Sequence, residues 1–328
     1  MSVIESTLDP VNSPDTASSI VDEVASDERD RMLASQSFRF RHQLGGHPSM
    51  GMPEIRNLVE QMLAEQLFDQ IFYKTGKAMA VGRYSDAESS KDIVKVIENM
   101  STSGTWLRLT RVDEVTSQFN EIVERLYNDL SELYQQDIKS RAMRTFVTLF
   151  ISSPGAYTNY HMDHTWNFLL QISGRKEVHL YDPFDQDVLT QKDKEGWYMK
   201  NFTISPKAIA KDIVYDLGPG DGVHHPVNAP HWVQNGKEIS ISLSLGLCLH
   251  ESNRDAKVYQ ANYLMRRFGL RPTPPHRSEW RDRIKSSFIS LWSDRNSESL
   301  NGAVFSGGDR LSRFLRIAPS EQNQYEPK

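Results

Sequence analysis

Residues 145–250 contain many short apolar runs separated by Gly- and Pro-containing turns, and this pattern constrains the fold more than any other feature. Ser173-Gly174 and Asn235-Gly236 predict tight turns between neighbouring strands. No helical periodicity interrupts the region, so the sequence predicts a closed or sandwiched β unit. The predicted strands cover residues 146–152, 157–163, 167–172, 176–181, 214–217, 231–233 and 239–248.

The segments on either side of this unit are expected to be mainly helical. Residues 1–35 are acidic and poor in aromatic side chains, which is typical of a disordered tail. Residues 36–144 predict a helical region with some strands that packs on the core, and residues 251–328 predict C-terminal helices and a tail. The individual segments are a strand at 38–42 and helices at about 53–72, 87–100, 115–136, 253–268 and 278–292.

Composition excludes several classes of protein. The net charge of −5 provides no overall positive field, so we expect no nucleic-acid partner. The arginines between 266 and 283 alternate with Glu279 and Asp282, which favours a solvated helix face over a nucleic-acid surface. Cys248 is the single cysteine, so neither an internal disulfide nor a Cys-rich zinc site is expected. No long apolar run or signal peptide is present, which predicts a cytoplasmic protein without a membrane partner.

His161, Asp163 and His231 are the candidate metal ligands. Two imidazoles and one carboxylate form the facial set of non-haem Fe(II) oxygenases. His161 and Asp163 are two apart, so on a strand they share a face, and we expect the third ligand to come from a strand facing them across the barrel. A His-x-Asp pair alone is weak evidence, since about one His-x-Asp/Glu is expected by chance in this composition. His224 and His225 remain alternatives to His231, and all of these histidines could be ordinary half-buried residues.

Lys176 is a candidate for binding an organic acid beside the metal. A 2-oxo acid that chelates iron leaves a distal carboxylate, which needs a fixed cation inside a mostly apolar barrel. Lys176 follows the Ser173-Gly174 turn and begins a predicted strand. The alternative is a lysine at a turn whose ammonium group lies in water.

Three segments resemble the JmjC/cupin-like family of Fe(II)- and 2-oxoglutarate-dependent oxygenases: YTNYHMDHTWNFLLQISGRK, GPGDGVHHPVNAPHWVQNG and EISISLSLG. The closest resemblance is to the branch that contains the asparaginyl hydroxylase inhibiting hypoxia-inducible factor. That branch has Thr three before the first His, Asn six after it and Lys fifteen after it, here Thr158, Asn167 and Lys176. It also has Gly-Asp and then a Pro five before the distal His, here Gly220-Asp221 and Pro226.

The resemblance implies a double-stranded β-helix (jelly roll) with N-terminal and C-terminal helical additions. It implies that His161, Asp163 and His231 bind Fe(II). Thr158 and Lys176 would then hold the distal carboxylate of the cosubstrate 2-oxoglutarate. Other residues implied near the cosubstrate are Asn167 and, thirteen residues after the distal His, Ser244. The relatives have an aromatic residue after the Pro, where this chain has Val227-Asn228-Ala229-Pro230, so the strand geometry before His231 is left open.

The activity implied is an O2-dependent dioxygenase that hydroxylates a peptide side chain or a small molecule and releases succinate and CO2. Demethylation is a sub-case, because the same attack on an N-methyl C–H bond removes the methyl group. The alternative is a non-catalytic cupin-like module that binds a metal or a small acid for regulation.

The C-terminal segments carry many large apolar residues, including Trp280, Ile284, Phe288 and Leu291. Core packing is one use for them, and a homodimer interface formed by the C-terminal helices is a second expectation.

Overall fold

Two antiparallel β sheets form the centre of the protein. The computed structural model describes residues 19–75, 82–83, 90–202, 204–205, 211–294 and 300–315. Within these ranges the strands are β1 (Val21–Glu23), β2 (Phe38–His42), β3 (Ile71–Thr75), β4 (Gly82–Arg83), β5 (Thr105–Thr110), β6 (Ala142–Ser152), β7 (Tyr157–His161), β8 (Trp166–Ser173), β9 (Lys176–Tyr181), β10 (Asp212–Leu217), β11 (Asp221–His225), β12 (His231–Asn235) and β13 (Ser240–Leu249).

The strand order is that of a jelly roll. The larger sheet has the order β1-β2-β11-β8-β13-β6-β5-β3-β4, and the smaller sheet has the order β10-β9-β12-β7. From β6 to β13 the chain passes repeatedly between the two sheets, so it winds as a double-stranded β-helix. This confirms the predicted fold class, a β core with helical additions.

Along the chain, most helices come before or after the jelly-roll strands, and one, α7, lies between β9 and β10. They are α1 (Ser26–Leu33), α2 (Met52–Ala64), α3 (Ser90–Glu98), α4 (Val112–Val115), α5 (Ser117–Tyr134), α6 (Ile138–Arg141), α7 (Gln191–Tyr198), α8 (His250–Arg267), α9 (Glu279–Ser290) and α10 (Leu300–Phe314). Every helix in the described ranges is too short or too polar to cross a bilayer.

The largest apolar core lies between the N-terminal helices and the outer face of the larger sheet. Helix α5 shows how the sequence builds it: the Thr116 side chain caps its first turn, and an apolar stripe predicted from the 3.6-residue period is buried. The helix ends at Tyr134, and the next residue, Gln135, has a φ of 51°. Alternate residues of the sheet strands belong to the same core, including Val147, Leu149 and Ile151 of β6.

Part of the segment expected to be disordered is ordered. Residues 21–23 form β1, which pairs with β2, and residues 26–33 form α1. The backbone N–H groups of Ile20 and Val21 both donate to the Asp129 carboxylate on α5, at 2.7 and 2.9 Å. Composition misled here because the ordering contacts come from a segment more than 100 residues away. Residues 1–18 lie outside the described ranges.

The predicted boundaries also need correction in other places. The helix expected over 53–72 ends at Ala64, and its last residues belong to β3. The strand expected over 157–163 ends at His161. Pairing with β5 stabilises β3, and β5 itself was missed because its sequence, TWLRLT, is short and carries a half-buried arginine.

The predicted turn at Ser173-Gly174 is present and fixes where β9 begins. Gly174 has a φ of 69°, and a Cβ atom there would lie 2.3 Å from the Ile239 carbonyl oxygen. Only glycine fits both the backbone conformation and this close approach. The turn therefore places Lys176 as the first residue of β9.

The exposed face of α9 carries a row of large apolar side chains. Trp280, Ile284, Phe288 and Leu291 recur at helical spacing and are 50–74% exposed. The opposite face, with Asp282, Lys285 and Ile289, is the buried one. Such a stripe presents on the order of 400 Å² of apolar surface, comparable to the largest patches on typical monomers, which are often functional.

We propose that this stripe pairs with the same stripe of a second copy, because a two-fold axis passing between the two α9 helices brings the same apolar face of each into contact. Phe288→Asp together with Ile284→Asp should convert a dimer to a monomer, measured by light scattering at micromolar concentration. Arg283→Glu is the control, since it makes the same change in net charge at an exposed position beside the stripe and removes no apolar surface from it. A monomeric parent protein would contradict the proposal.

Candidate active site

The three candidate metal ligands converge at one end of the smaller sheet. One nitrogen or oxygen atom from each of His161, Asp163 and His231 lies within 4.8 Å of the others. His161 ends β7, His231 begins β12, and the two residues are direct partners in the antiparallel ladder, with ring centroids 4.1 Å apart. The expectation that the third ligand faces the others across the barrel was wrong, because β12 is the neighbour of β7 in the same sheet.

Backbone carbonyls orient both imidazoles. The Nδ1 atom of His161 lies 2.7 Å from the Asn159 carbonyl oxygen, and the Nδ1 atom of His231 lies 2.9 Å from the Ala229 carbonyl oxygen. Since a carbonyl can only accept, each Nδ1 donates, and in the neutral imidazole each Nε2 then keeps its lone pair. This is the tautomer that a metal ligand requires, held by outer contacts of the kind that usually orient ligating histidines.

Asp163 lies two residues beyond β7, at the mouth of the site. Its side chain is 44% exposed, and its Oδ2 atom is 3.9 Å from Nε2 of His231. The loop before β12 fixes its backbone, because the Asn228 N–H donates to the Asp163 carbonyl at 2.8 Å. The surrounding protein acts to raise the pKa of the Asp163 carboxyl, but His161 and His231 outweigh it and hold the pKa below its ordinary value. The carboxylate is therefore ionised, as a ligand must be.

A β-bulge brings Thr158 to the inner face. His231 on β12 pairs with His161 on β7. Val233, two residues after His231, pairs with Thr158, three residues before His161. Cross-strand partners share a face, and the extra residue in β7 keeps Thr158 and His161 on the same side despite their odd spacing. The Thr-x-x-His pattern therefore places both side chains toward the interior.

Lys176 is buried and has no partner of opposite charge among the described residues. Only 5% of the residue is exposed, and no acidic group acts on it, so burial lowers the pKa of its ammonium group to about 7. On β9 it shares the inner face with Val178 and Leu180, which are core residues of the barrel. The alternative of a turn lysine with its ammonium group in water is therefore wrong.

Asn167 and Ser244 form a pair on the inner face of the larger sheet. The Ser244 hydroxyl donates to the Asn167 amide oxygen at 2.7 Å. Because this bond occupies the amide oxygen, the amide nitrogen of Asn167 is the group left for another acceptor. In this arrangement Ser244 orients Asn167.

The two alternative histidines have different surroundings. His224 faces the outer core, where its Nδ1 bonds the Asn167 carbonyl at 3.0 Å and its ring packs on Phe168, with centroids 4.7 Å apart. His225 faces the interior, with its ring centroid 4.7 Å from that of His231, but it does not belong to the group of three ligands. The geometry therefore favours His231 over both.

Arg108 is a second basic residue near the site, and it was not predicted from the sequence. Its guanidinium lies over the Phe72 ring at 4.2 Å, and burial lowers its pKa to about 10, against the opposing effect of Asp163. Within the described part of the chain, its Nε atom has no hydrogen-bond partner. Trp106, Arg108 and Thr110 alternate along the sequence, and this pattern would have placed Arg108 on the inner face only if β5 had been recognised as a strand.

The donor set suits a divalent transition metal, with two imidazole nitrogens and one ionised carboxylate at a half-open mouth. We expect the protein to bind one Co(II) ion and Asp163→Ala to weaken that binding at least about 100-fold, with unchanged far-UV circular dichroism, because the carboxylate is not part of the core. Titration calorimetry measures this. Asp216→Ala, which removes an exposed carboxylate paired with Arg175, is the control. Equal binding by the parent and Asp163→Ala would refute the assignment.

Comparison with solved structures finds only distant similarity. Among solved structures, an X-ray structure of Escherichia coli ycfD is 13% identical with a TM-score of 0.47, covering 84% of this chain and 74% of that one. The E. coli ribosomal oxygenase YcfD in complex with cobalt and 2-oxoglutarate is 14% identical with a TM-score of 0.45, covering 83% and 68%. The DMSP lyase DddQ from Ruegeria pomeroyi is 17% identical with a TM-score of 0.22, covering 33% and 39%. Likeness this distant carries no argument about the reaction.

No curated protein matches the chain. A family model described as a cupin-like domain matches residues 16–244, which is more than half of the sequence. The match includes β6 to β12, the whole candidate metal centre and the N-terminal helices. The chain therefore belongs to the cupin-like domain family.

Proposed function

We propose that this protein is an Fe(II)- and 2-oxoglutarate-dependent oxygenase. The observation that carries the proposal is Lys176, a buried cation with no counter-ion among the described residues, inside the barrel whose rim holds the two-histidine, one-carboxylate set. A buried unpaired charge destabilises a fold, so its presence is understandable if an anionic ligand binds beside it. A dicarboxylic 2-oxo acid provides a chelating end for the metal and a distal carboxylate for Lys176.

His161, Asp163 and His231 would hold the iron with three positions left open. Iron bound there supplies the redox chemistry that couples decarboxylation of 2-oxoglutarate to succinate and CO2 with insertion of an oxygen atom from O2 into a substrate C–H bond. The protein's own contribution is to hold the two Nε2 lone pairs and the ionised carboxylate in place before the ion arrives. These ligand residues are kept in position by backbone groups: the carbonyls of Asn159 and Ala229 and the N–H of Asn228.

Lys176 and Thr158 would bind the distal carboxylate of the cosubstrate. An ammonium–carboxylate pair with a hydroxyl donor is strongest where water is excluded, and the inner face here carries the apolar residues Leu169, Val178 and Val233. Asn167, oriented by Ser244, would donate its amide N–H beside the acid.

The substrate class proposed is a peptide side chain or a small molecule that is hydroxylated, with N-demethylation as a sub-case. The spacing of Thr158, Asn167 and Lys176 from His161 supports kinship with the asparaginyl-hydroxylase branch. A non-catalytic role would be favoured if the protein bound metal but not 2-oxoglutarate.

Lys176→Met tests the role of the buried cation. We expect it to weaken 2-oxoglutarate binding to the Co(II)-loaded protein about 100-fold, because a buried charge-assisted bond is lost, while Co(II) affinity stays within about threefold. The unliganded variant should be more stable than the parent, by about 1–4 kcal/mol, since methionine fills the space without a charge. Calorimetry and thermal unfolding measure the two effects. Equal loss of metal and acid binding would argue against the assignment.

The pH dependence of binding follows from the same residue. With a pKa of about 7 before binding, Lys176 is charged below neutral pH and increasingly neutral above it. Binding of the anion requires the charged form, so between pH 7 and 9 the affinity for 2-oxoglutarate should fall by up to about tenfold per pH unit, with uptake of a proton. Calorimetry in buffers of different ionisation enthalpy detects that proton. A flat profile, or the same profile in Lys176→Met, would show that Lys176 is not the group responsible.

A further inference from the structure

His225 is an interior histidine to which the function above gives no role. It ends β11 and is 4% exposed, and in the ladder it lies opposite Asn167 on β8. Val223, two residues earlier on the same face, belongs to the apolar core of the barrel. His225 therefore points into the interior, on the larger sheet, toward the metal centre on the smaller one.

Both ring nitrogens of His225 lack a hydrogen-bond partner in the described ranges. Buried polar atoms in proteins are nearly always paired, and an imidazole with two unpaired nitrogens is therefore a strong exception. Its neighbour His224 shows the ordinary alternative, with Nδ1 bonded to a backbone carbonyl and the ring packed among aromatic side chains. The two adjacent histidines have the same residue type and similar burial, but His225 alone of the pair has both nitrogens unused.

The surroundings of His225 point to an acid as the missing partner. Its ring centroid lies 4.7 Å from that of His231, so His225 adjoins the candidate metal centre directly. Lys176 is near enough to interact with it electrostatically, whereas no described acidic residue acts on it. His225 is not a fourth metal ligand by geometry, because its nitrogens lie outside the group formed by His161, Asp163 and His231.

We propose that His225 binds the 2-oxo acid at the end that chelates the metal, donating a ring N–H to its C1 carboxylate. This inference rests on the proposed function and adds a residue to it. Lys176 and Thr158 would hold the distal carboxylate, and His225, next to Asn167, would hold the proximal one. The cosubstrate would then be fixed at both ends, and in its absence Lys176 and His225 are left without partners among the described residues.

The test compares two probes on the Co(II)-loaded protein, 2-oxoglutarate and oxalate, by calorimetry. Oxalate chelates a metal but has no distal carboxylate. His225→Phe keeps an aromatic ring but removes both nitrogens, so we expect the binding of both probes to weaken about tenfold or more. Lys176→Met should weaken 2-oxoglutarate alone. His225→Gln, which restores an N–H donor, should recover most of the affinity for both probes.

His224→Phe is the matched control and should leave both affinities unchanged even if it alters stability. Co(II) affinity should be the same in His225→Phe and the parent, because the residue is not a ligand. If His225→Phe does not fold, His225→Leu replaces it with the same expectation.

Three outcomes would overturn the proposal. Unchanged affinity for both probes would show that His225 does not bind the acid. Weaker binding of 2-oxoglutarate alone would show that His225 contacts the distal end of the acid. A matching loss of Co(II) affinity would show that His225 supports the ligand His231 instead. Failure of the proposed function would look different, because the parent protein itself would then bind Co(II) without binding 2-oxoglutarate.

Discussion

The pairing of β7 with β12 is the constraint on which the site depends. This ladder sets His161 directly opposite His231, and the bulge within it turns Thr158 to the same inner face. Because cross-strand neighbours lie about 5 Å apart, two imidazoles are held at a spacing suited to one ion before any ion is bound. The loop that enters β12 then fixes Asp163 through the Asn228 N–H. A one-residue slip in this ladder would move His231 to the outer face and remove the site.

The interior of the jelly roll has polar groups that the fold itself does not use. Among the described residues, Lys176 has no counter-ion, and His225 has no hydrogen-bond partner for either nitrogen. Each such group destabilises the unliganded protein by about 1–3 kcal/mol, and apolar residues would fill the same space at lower cost. The larger outer core, formed by the sheet and the N-terminal helices, supplies the stability that makes this possible. The interior is therefore best understood as a binding site whose ligand supplies a partner to each of these two residues.

The jelly roll was predictable from the sequence, because strand alternation and Gly-containing turns are local signals. The candidate residues Thr158 and Asn167 could be named only through the family resemblance, in which they and Lys176 stand at fixed intervals from His161. Relations between distant segments were not predictable: β12 lies beside β7 rather than across from it, and the chain before α1 is ordered against α5 through Asp129. The surroundings of His225 and Arg108 were hidden for the same reason, because only the strand register shows which face they occupy.

The most direct test of the central claim is an anaerobic titration of the purified protein with Fe(II) and then 2-oxoglutarate, followed by visible absorption. We expect a weak metal-to-ligand charge-transfer band that saturates with the acid and is absent from Asp163→Ala. That band would establish that the acid chelates an iron held by this carboxylate. A folded protein that binds Fe(II) but gives no band with 2-oxoglutarate would contradict the account and favour a non-catalytic metal-binding module.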